Sequence, residues 1–102
     1  MIYLYILTTS KTVSESVVDQ IKSKHPQRLK RDPVVLGTRV IPEGLPMPGE
    51  DSVMSMAINV CKDAGLRFDQ LRDDLRYFQE EIEGDVYGVL EIDVPRYLKV
   101  SV

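Results

Sequence analysis

Apolar residues fill both phases of a two-residue period in MIYLYILTT, the pattern of a strand covered on both faces, and residues 2–8 are expected to form a central strand. The period then changes. Thr12 stands three residues before Glu15, the spacing of a capping box, and Val13, Val17, Val18 and Ile21 fall on one helical face. A helix is predicted over 13–25, ended by Pro26, whose ring is incompatible with a preceding helical turn. PVVLGTRVI returns to strand character over 34–41, with Gly37 placed for a bulge. The stretch that follows, IPEGLPMPGED (41–51), holds three prolines and two glycines with no hydrophobic period, and reads as a surface loop within one domain.

Downstream, Asp51 is placed to cap a helix whose apolar positions are Val53, Ala57, Val60, Cys61 and Ala64, with Gly65 as its stop. Phe68, Leu71, Leu75, Phe78 and Ile82 repeat at alternating intervals of three and four, which predicts a further helix ended by Gly84. Val86, Leu90, Ile92 and Val94 share one face of a third strand, and Leu98, Val100 and Val102 share one face of a fourth beyond Pro95 and Arg96. These last two are expected to pair as a hairpin. The order β-α-β-α-α-β-β predicts a single α+β domain over 1–102, a mixed four-stranded sheet packed against about three helices, with a parallel crossover through the first helix.

Composition supports a folded domain: of 102 residues, 43% are hydrophobic and 28% charged, ordinary globular usage. Cys61 is the sole cysteine, which rules out an intramolecular disulfide and a thiolate metal site and fits a reducing, cytoplasmic setting. The apolar run from Ile2 to Leu7 is too short to span a bilayer, so no membrane partner is expected. Net charge is -3, divided unevenly. Residues 1–49 carry seven Lys/Arg against four Asp/Glu (+3), and residues 50–102 carry six against twelve (-6), so the halves attract within one chain or between copies.

Five cations, Lys22, Lys24, Arg28, Lys30 and Arg31, fall in KSKHPQRLKR with no acid among them. Phosphate neutralisation by this segment would give salt-sensitive nucleic-acid binding, whereas cations at a helix C-terminus are also favoured by the helix dipole. IYLYIL resembles the first ribonucleoprotein motif of the RNA-recognition module, with Tyr87 and Gly88 of VYGVLEI in suitable places. That resemblance would make Tyr3, Tyr5, Tyr87 and Tyr97 base-stacking groups on an open sheet. It covers six residues, has Ile6 where the motif has asparagine, and meets a different element order; packing of the sheet is the expected role of these tyrosines.

Glu80, Glu81, Glu83 and Asp85 crowd one region without converging oxygens for a metal, and pairing with the basic segment or with solvent is expected. Glu91 and Asp93 alternate onto one strand face, but no neighbouring lysine completes a nuclease pattern. His25 lacks an acid and nucleophile of the triad kind, and Cys61 lies on an apolar stripe where a thiol is inert. No cofactor motif is present.

What stands out is surface. Leu45 and Met47 sit between prolines that hold them extended, either for a partner or to cover the core edge. RYLKVSV (96–102) alternates Leu98, Val100 and Val102 and offers an edge for strand pairing through Tyr97, Leu98 and Val100. The expected function is a small non-enzymatic protein–protein interaction module, self-associating as a homodimer and taking a protein or peptide partner through an edge strand, a groove or the 41–51 loop. Nucleic-acid binding through residues 22–31 is the alternative.

Overall fold

The computed structural model describes residues 2–9, 13–24, 33–42, 44–67 and 75–93. Six elements follow in order: β1 (Ile2–Thr8), α1 (Glu15–Lys24), β2 (Val34–Val40), α2 (Glu50–Asp63), β3 (Leu75–Ile82) and β4 (Asp85–Asp93). The strands form one mixed sheet in the order β2-β1-β4-β3, with β1 parallel to β2 and antiparallel to β4, and β3 antiparallel to β4. The α+β class and the four-stranded mixed sheet agree with the sequence; among the described residues the helices number two, not about three.

Both phases of β1 are apolar because both faces of the sheet carry a helix. Ile2, Leu4 and Ile6 join Val17 and Ile21 of α1 with Tyr87 and Val89 of β4 in one cluster. On the opposite face, Leu7 joins Val53, Ala57 and Cys61 of α2 with Leu90 and Ile92 of β4, and Tyr3 and Tyr5 pack against them. The sheet is thus the middle of three layers. β4 shares this burial, being closed from Tyr87 to Ile92.

Helix boundaries follow local chemistry. Ser14 caps α1, its Oγ accepting the N–H of Val17 at 3.3 Å, in place of Thr12, which lies outside the described residues. α2 starts at Gly49 with no side-chain cap, and Asp51 stands inside its first turn instead, where a carboxylate favours the positive end of the helix dipole. The C-terminus matches expectation. Gly65 adopts φ 75°, its N–H bonds Lys62 O at 3.1 Å, and Leu66 N–H bonds Cys61 O at 2.8 Å, a complete Schellman motif that buries Leu66 against Cys61.

Residues 75–82, expected to continue a third helix, are strand β3. The three-four spacing of Leu75, Phe78 and Ile82 is real but misleading. Leu75 contributes to the α2-side cluster, whereas Phe78 and Ile82 belong to the α1 side, so the apolar positions serve two faces of a strand. A two-residue turn then decides the pairing. Glu83 (φ 53°) and Gly84 (φ 86°) both adopt left-handed backbone between Ile82 and Asp85, the geometry that matches the twist of a tight hairpin. The hairpin is therefore β3 with β4; the expected strand around Leu98, Val100 and Val102 lies outside the described residues.

Leu90 is fully buried where α2 meets the sheet. Leu90→Ala is expected to lower the unfolding free energy by about 2–5 kcal/mol through lost transfer energy and a residual cavity, measured by urea denaturation. Ser14→Ala is expected to lose about 1 kcal/mol.

Candidate functional site

Among the described residues the strand order leaves β2 and β3 at the two edges, and the edges differ. Ile82 faces Asp85 across the tight turn, so the backbone groups of Glu81 point away from β4. The Glu81 carbonyl accepts the Lys24 ammonium at 3.0 Å, and the same ammonium pairs with Glu80 Oε2 at 3.4 Å. A lysine from α1 thus occupies the turn end of this edge, and a cation beside an edge strand discourages further pairing there. It also joins the acidic group to the basic segment, as the charge pattern led one to expect.

β2 carries no such closure among its described neighbours. Val34 (43% exposed), Val35 (37%) and Val40 (50%) stand on its surface. Across from it, Leu4 pairs with Val35 and Tyr5 with Gly37, so Leu36 is the extra residue of a bulge one position from Gly37. Gly37 serves a packing need: the Tyr5 ring lies over it, and a Cβ there would come within 3.3 Å of Tyr5 Cε1.

A groove flanks β2 on each face. On the α1 side, Val13, Val18, Val35 and Thr38 line a hollow of about 410 Å³, rimmed by Glu15 and Asp19, one helical turn apart. On the α2 side, Tyr5, Leu36, Met56 and Val60 line a second of about 340 Å³, rimmed by Arg39 and Asp63. Side chains that alternate from a strand laid along β2 would enter both. This is the arrangement that strand addition uses, with backbone hydrogen bonds for affinity and alternate pockets for selectivity.

The proline-rich loop proves to be divided. Leu45 is 58% exposed, whereas Met47 packs against the α2-side cluster. The Tyr77 hydroxyl donates to Pro48 O at 2.8 Å, and Gln79 Nε2 donates to the same oxygen at 3.3 Å. Burial pushes the Tyr77 hydroxyl above its ordinary pKa, outweighing the opposing effect of its Gln79 hydrogen bond, so it stays a donor at neutral pH. Gly88 makes room beneath this contact. A Cβ there would lie 2.5 Å from the Tyr77 oxygen and 3.1 Å from Met47 Sδ.

Other sequence candidates separate clearly. Lys22 and Lys24 occupy the last turn of α1, with Lys24 committed to β3; His25, Arg28, Lys30 and Arg31 lie outside the described residues, as do Tyr97, Leu98 and Val100. Tyr3 and Tyr5 pack toward α2, and Tyr87 is buried on the α1 face. Each of these rings is a packing group beneath a helix. Cys61 is buried, and desolvation raises its thiol pKa, the opposite of nucleophile activation. Glu91 is buried within 3.9 Å of Arg76 Nε, whose guanidinium also lies over Phe78 at 5.6 Å, while Asp93 is exposed. Among the described residues no group of three or more His, Cys, Asp or Glu could hold a metal ion, and no helix is long and apolar enough to cross a membrane. No family model, curated protein or solved structure matches this chain.

The division of the loop has a thermodynamic signature. Met47→Ser is expected to lower stability by about 1–3 kcal/mol, because it removes apolar contact and places a hydroxyl beside the cluster. Leu45→Ser is expected to change it by less than about 0.5 kcal/mol. Thermal melts of the two variants, followed by circular dichroism, provide the comparison.

Proposed function

We propose that this protein is a non-enzymatic interaction module that takes an extended segment of a protein as an added strand along β2. The observation that carries the reading is the contrast between edges: Lys24 closes β3 at Glu81, whereas β2 exposes Val34, Val35 and Val40 between two grooves. An apolar edge gains hydrogen bonds and burial together when a strand is laid on it. The exposed Leu45 is a secondary contact on the loop that leaves β2. A single buried thiol suits a reducing compartment, and a cytoplasmic setting belongs to the proposal.

Protection of β2 amides against hydrogen exchange tests the reading. Adding an extended peptide with alternating valines should slow exchange along 34–40, with the effect retained at high salt because backbone pairing and apolar burial dominate. Val35→Lys should abolish the protection while leaving circular dichroism unchanged, since a lysine on an edge opposes strand addition. Salt-sensitive capture of an oligonucleotide, lost in Lys22→Ala/Arg28→Ala/Lys30→Ala with no change along β2, would overturn the proposal in favour of nucleic-acid binding.

A further inference from the structure

The outer side of β2 presents a defined set of backbone groups. Ile41 N–H bonds Thr8 O, so this residue turns its backbone toward β1; by strand alternation Arg39 does the same, while Val40 and Thr38 turn their N–H and C=O outward. The extra residue at Leu36 shifts the count by one, and Val35 is the next to point outward. Side chains follow the same alternation. Val35, Thr38 and Val40 lie on the α1 face, opposite Leu4, Ile6 and Thr8, whereas Gly37 and Arg39 lie on the α2 face, opposite Tyr5 and Leu7.

This order of residues is its own complement. In an antiparallel pair of β2 strands centred on Thr38, Thr38 meets Thr38 of the second copy, Gly37 meets Arg39 and, with Leu36 left over at the interruption, Val35 meets Val40. Each pair joins residues of one face. The pairs of Thr38 with Thr38 and of Val35 with Val40 are those whose backbone groups point outward, so each exchanges two hydrogen bonds. On the α1 face the exposed Val35 and Val40 cover each other. On the α2 face Gly37 has no side chain, and Arg39 of the second copy passes beside it to the hollow that Tyr5, Leu36 and Asp63 line. Arg39 and Asp63 stand at this same hollow within one chain, yet among the described residues neither is in an ion pair. The two-fold register gives each a partner of opposite charge. It also sets the two arginines at diagonal positions, about 7–8 Å apart, a repulsion that the Asp63 carboxylates offset.

Resting on the reading of β2 as an acceptor edge, we infer that the strand it accepts is β2 of a second copy, antiparallel about Thr38, so that two four-stranded sheets join as one. Arg39 of each copy pairs with Asp63 of the other, and this charge match selects a second copy over an arbitrary apolar strand. The contact is isologous and uses up both free edges of β2, so assembly stops at two.

Light scattering on the full chain should give twice the 11.6 kDa of one chain. Raising the concentration should slow amide exchange at Val35, Thr38 and Val40 and leave Gly37 and Arg39, already turned to β1, unchanged. Val35→Lys should give a monomer with unchanged circular dichroism. Arg39→Asp and Asp63→Arg should each weaken dimerisation about tenfold, because symmetry repeats the lost contact. An equimolar mixture of these two variants should recover a dimer of one each, since each chain then carries the charges that the other needs. Oxidised Thr38→Cys should run as a covalent dimer on a non-reducing gel, its Cα atoms about 5.5 Å apart in such a pair. Val34→Cys, about 25 Å from its counterpart, should stay monomeric on that gel. A covalent dimer from Val34→Cys and none from Thr38→Cys would overturn the register, and a dimer indifferent to Val35→Lys would overturn pairing through β2. So would a wild-type monomer at every concentration. If that monomer still slows its exchange along 34–40 when the valine peptide is added, the acceptor edge stands and only the choice of partner fails; without such slowing, both fail.

Discussion

Coverage of β1 on both faces is the constraint from which the rest of the architecture follows. Its even-numbered residues feed the cluster beneath α1 and Leu7, with Tyr3 and Tyr5 beside it, the cluster beneath α2, so neither helix can be lost without exposing half of a central strand. The parallel crossover puts α1 on one face, and α2 must then cover the other. Reaching that face is the task of the 41–49 stretch. It leaves β2 where Ile41 N–H bonds Thr8 O at 2.7 Å, and it meets β3, at the opposite edge, where Pro48 O accepts Tyr77 and Gln79. The proline-rich segment is a strap across the width of the sheet. Its prolines restrict the backbone at low entropic cost, a turn in which Leu45 N–H bonds Pro42 O at 3.1 Å lies within it, and its apolar content is divided accordingly, Met47 packed on the α2-side cluster and Leu45 outside it.

Two tyrosines on the α2 side lie over glycines of a neighbouring strand, Tyr5 over Gly37 and Tyr77 over Gly88. Glycine weakens a strand because it contributes no packing, and a ring laid across the gap restores the missing contact. The arrangement accounts for Tyr5, one of the tyrosines that a motif-based reading would assign to base stacking. Their rings occupy space that glycine leaves within the sheet, under a layer supplied by α2.

Much of the N-terminal half was legible because its signals are local. A strand with both phases apolar, an amphipathic stripe, a proline after a helix and a glycine at the end of α2 each act within a few residues, and the observed elements fall close to the expected bounds. The error at β3 has an equally definite origin. A strand that places apolar residues on both faces loses its two-residue alternation, and Leu75, facing α2, with Phe78 and Ile82, facing α1, then imitates a helical stripe. The turn was obscured by Glu83, a non-glycine residue with positive φ that gives no compositional warning. The place of β2 at an edge was illegible for a different reason. Val34, Val35 and Val40 were placed on a strand from sequence, but which strand lies outermost depends on pairings between distant residues. That β1 would choose β4 as its second neighbour is written in no short segment.

The extra residue at Leu36 changes what kind of recognition an edge like this can perform. β2 spends one more residue than β1 over the same distance, so its hydrogen-bonding groups fall out of step between Val35 and Gly37. A uniformly pleated strand from an arbitrary protein can match the frame on one side of that step, and it then meets the other side out of phase. A regular strand added to β2 must therefore break its pairing at Leu36 and resume it beyond. The irregularity interrupts the long, unbroken pairing that amyloid-like stacking needs, and so reduces the hazard that an exposed apolar border ordinarily presents for solubility.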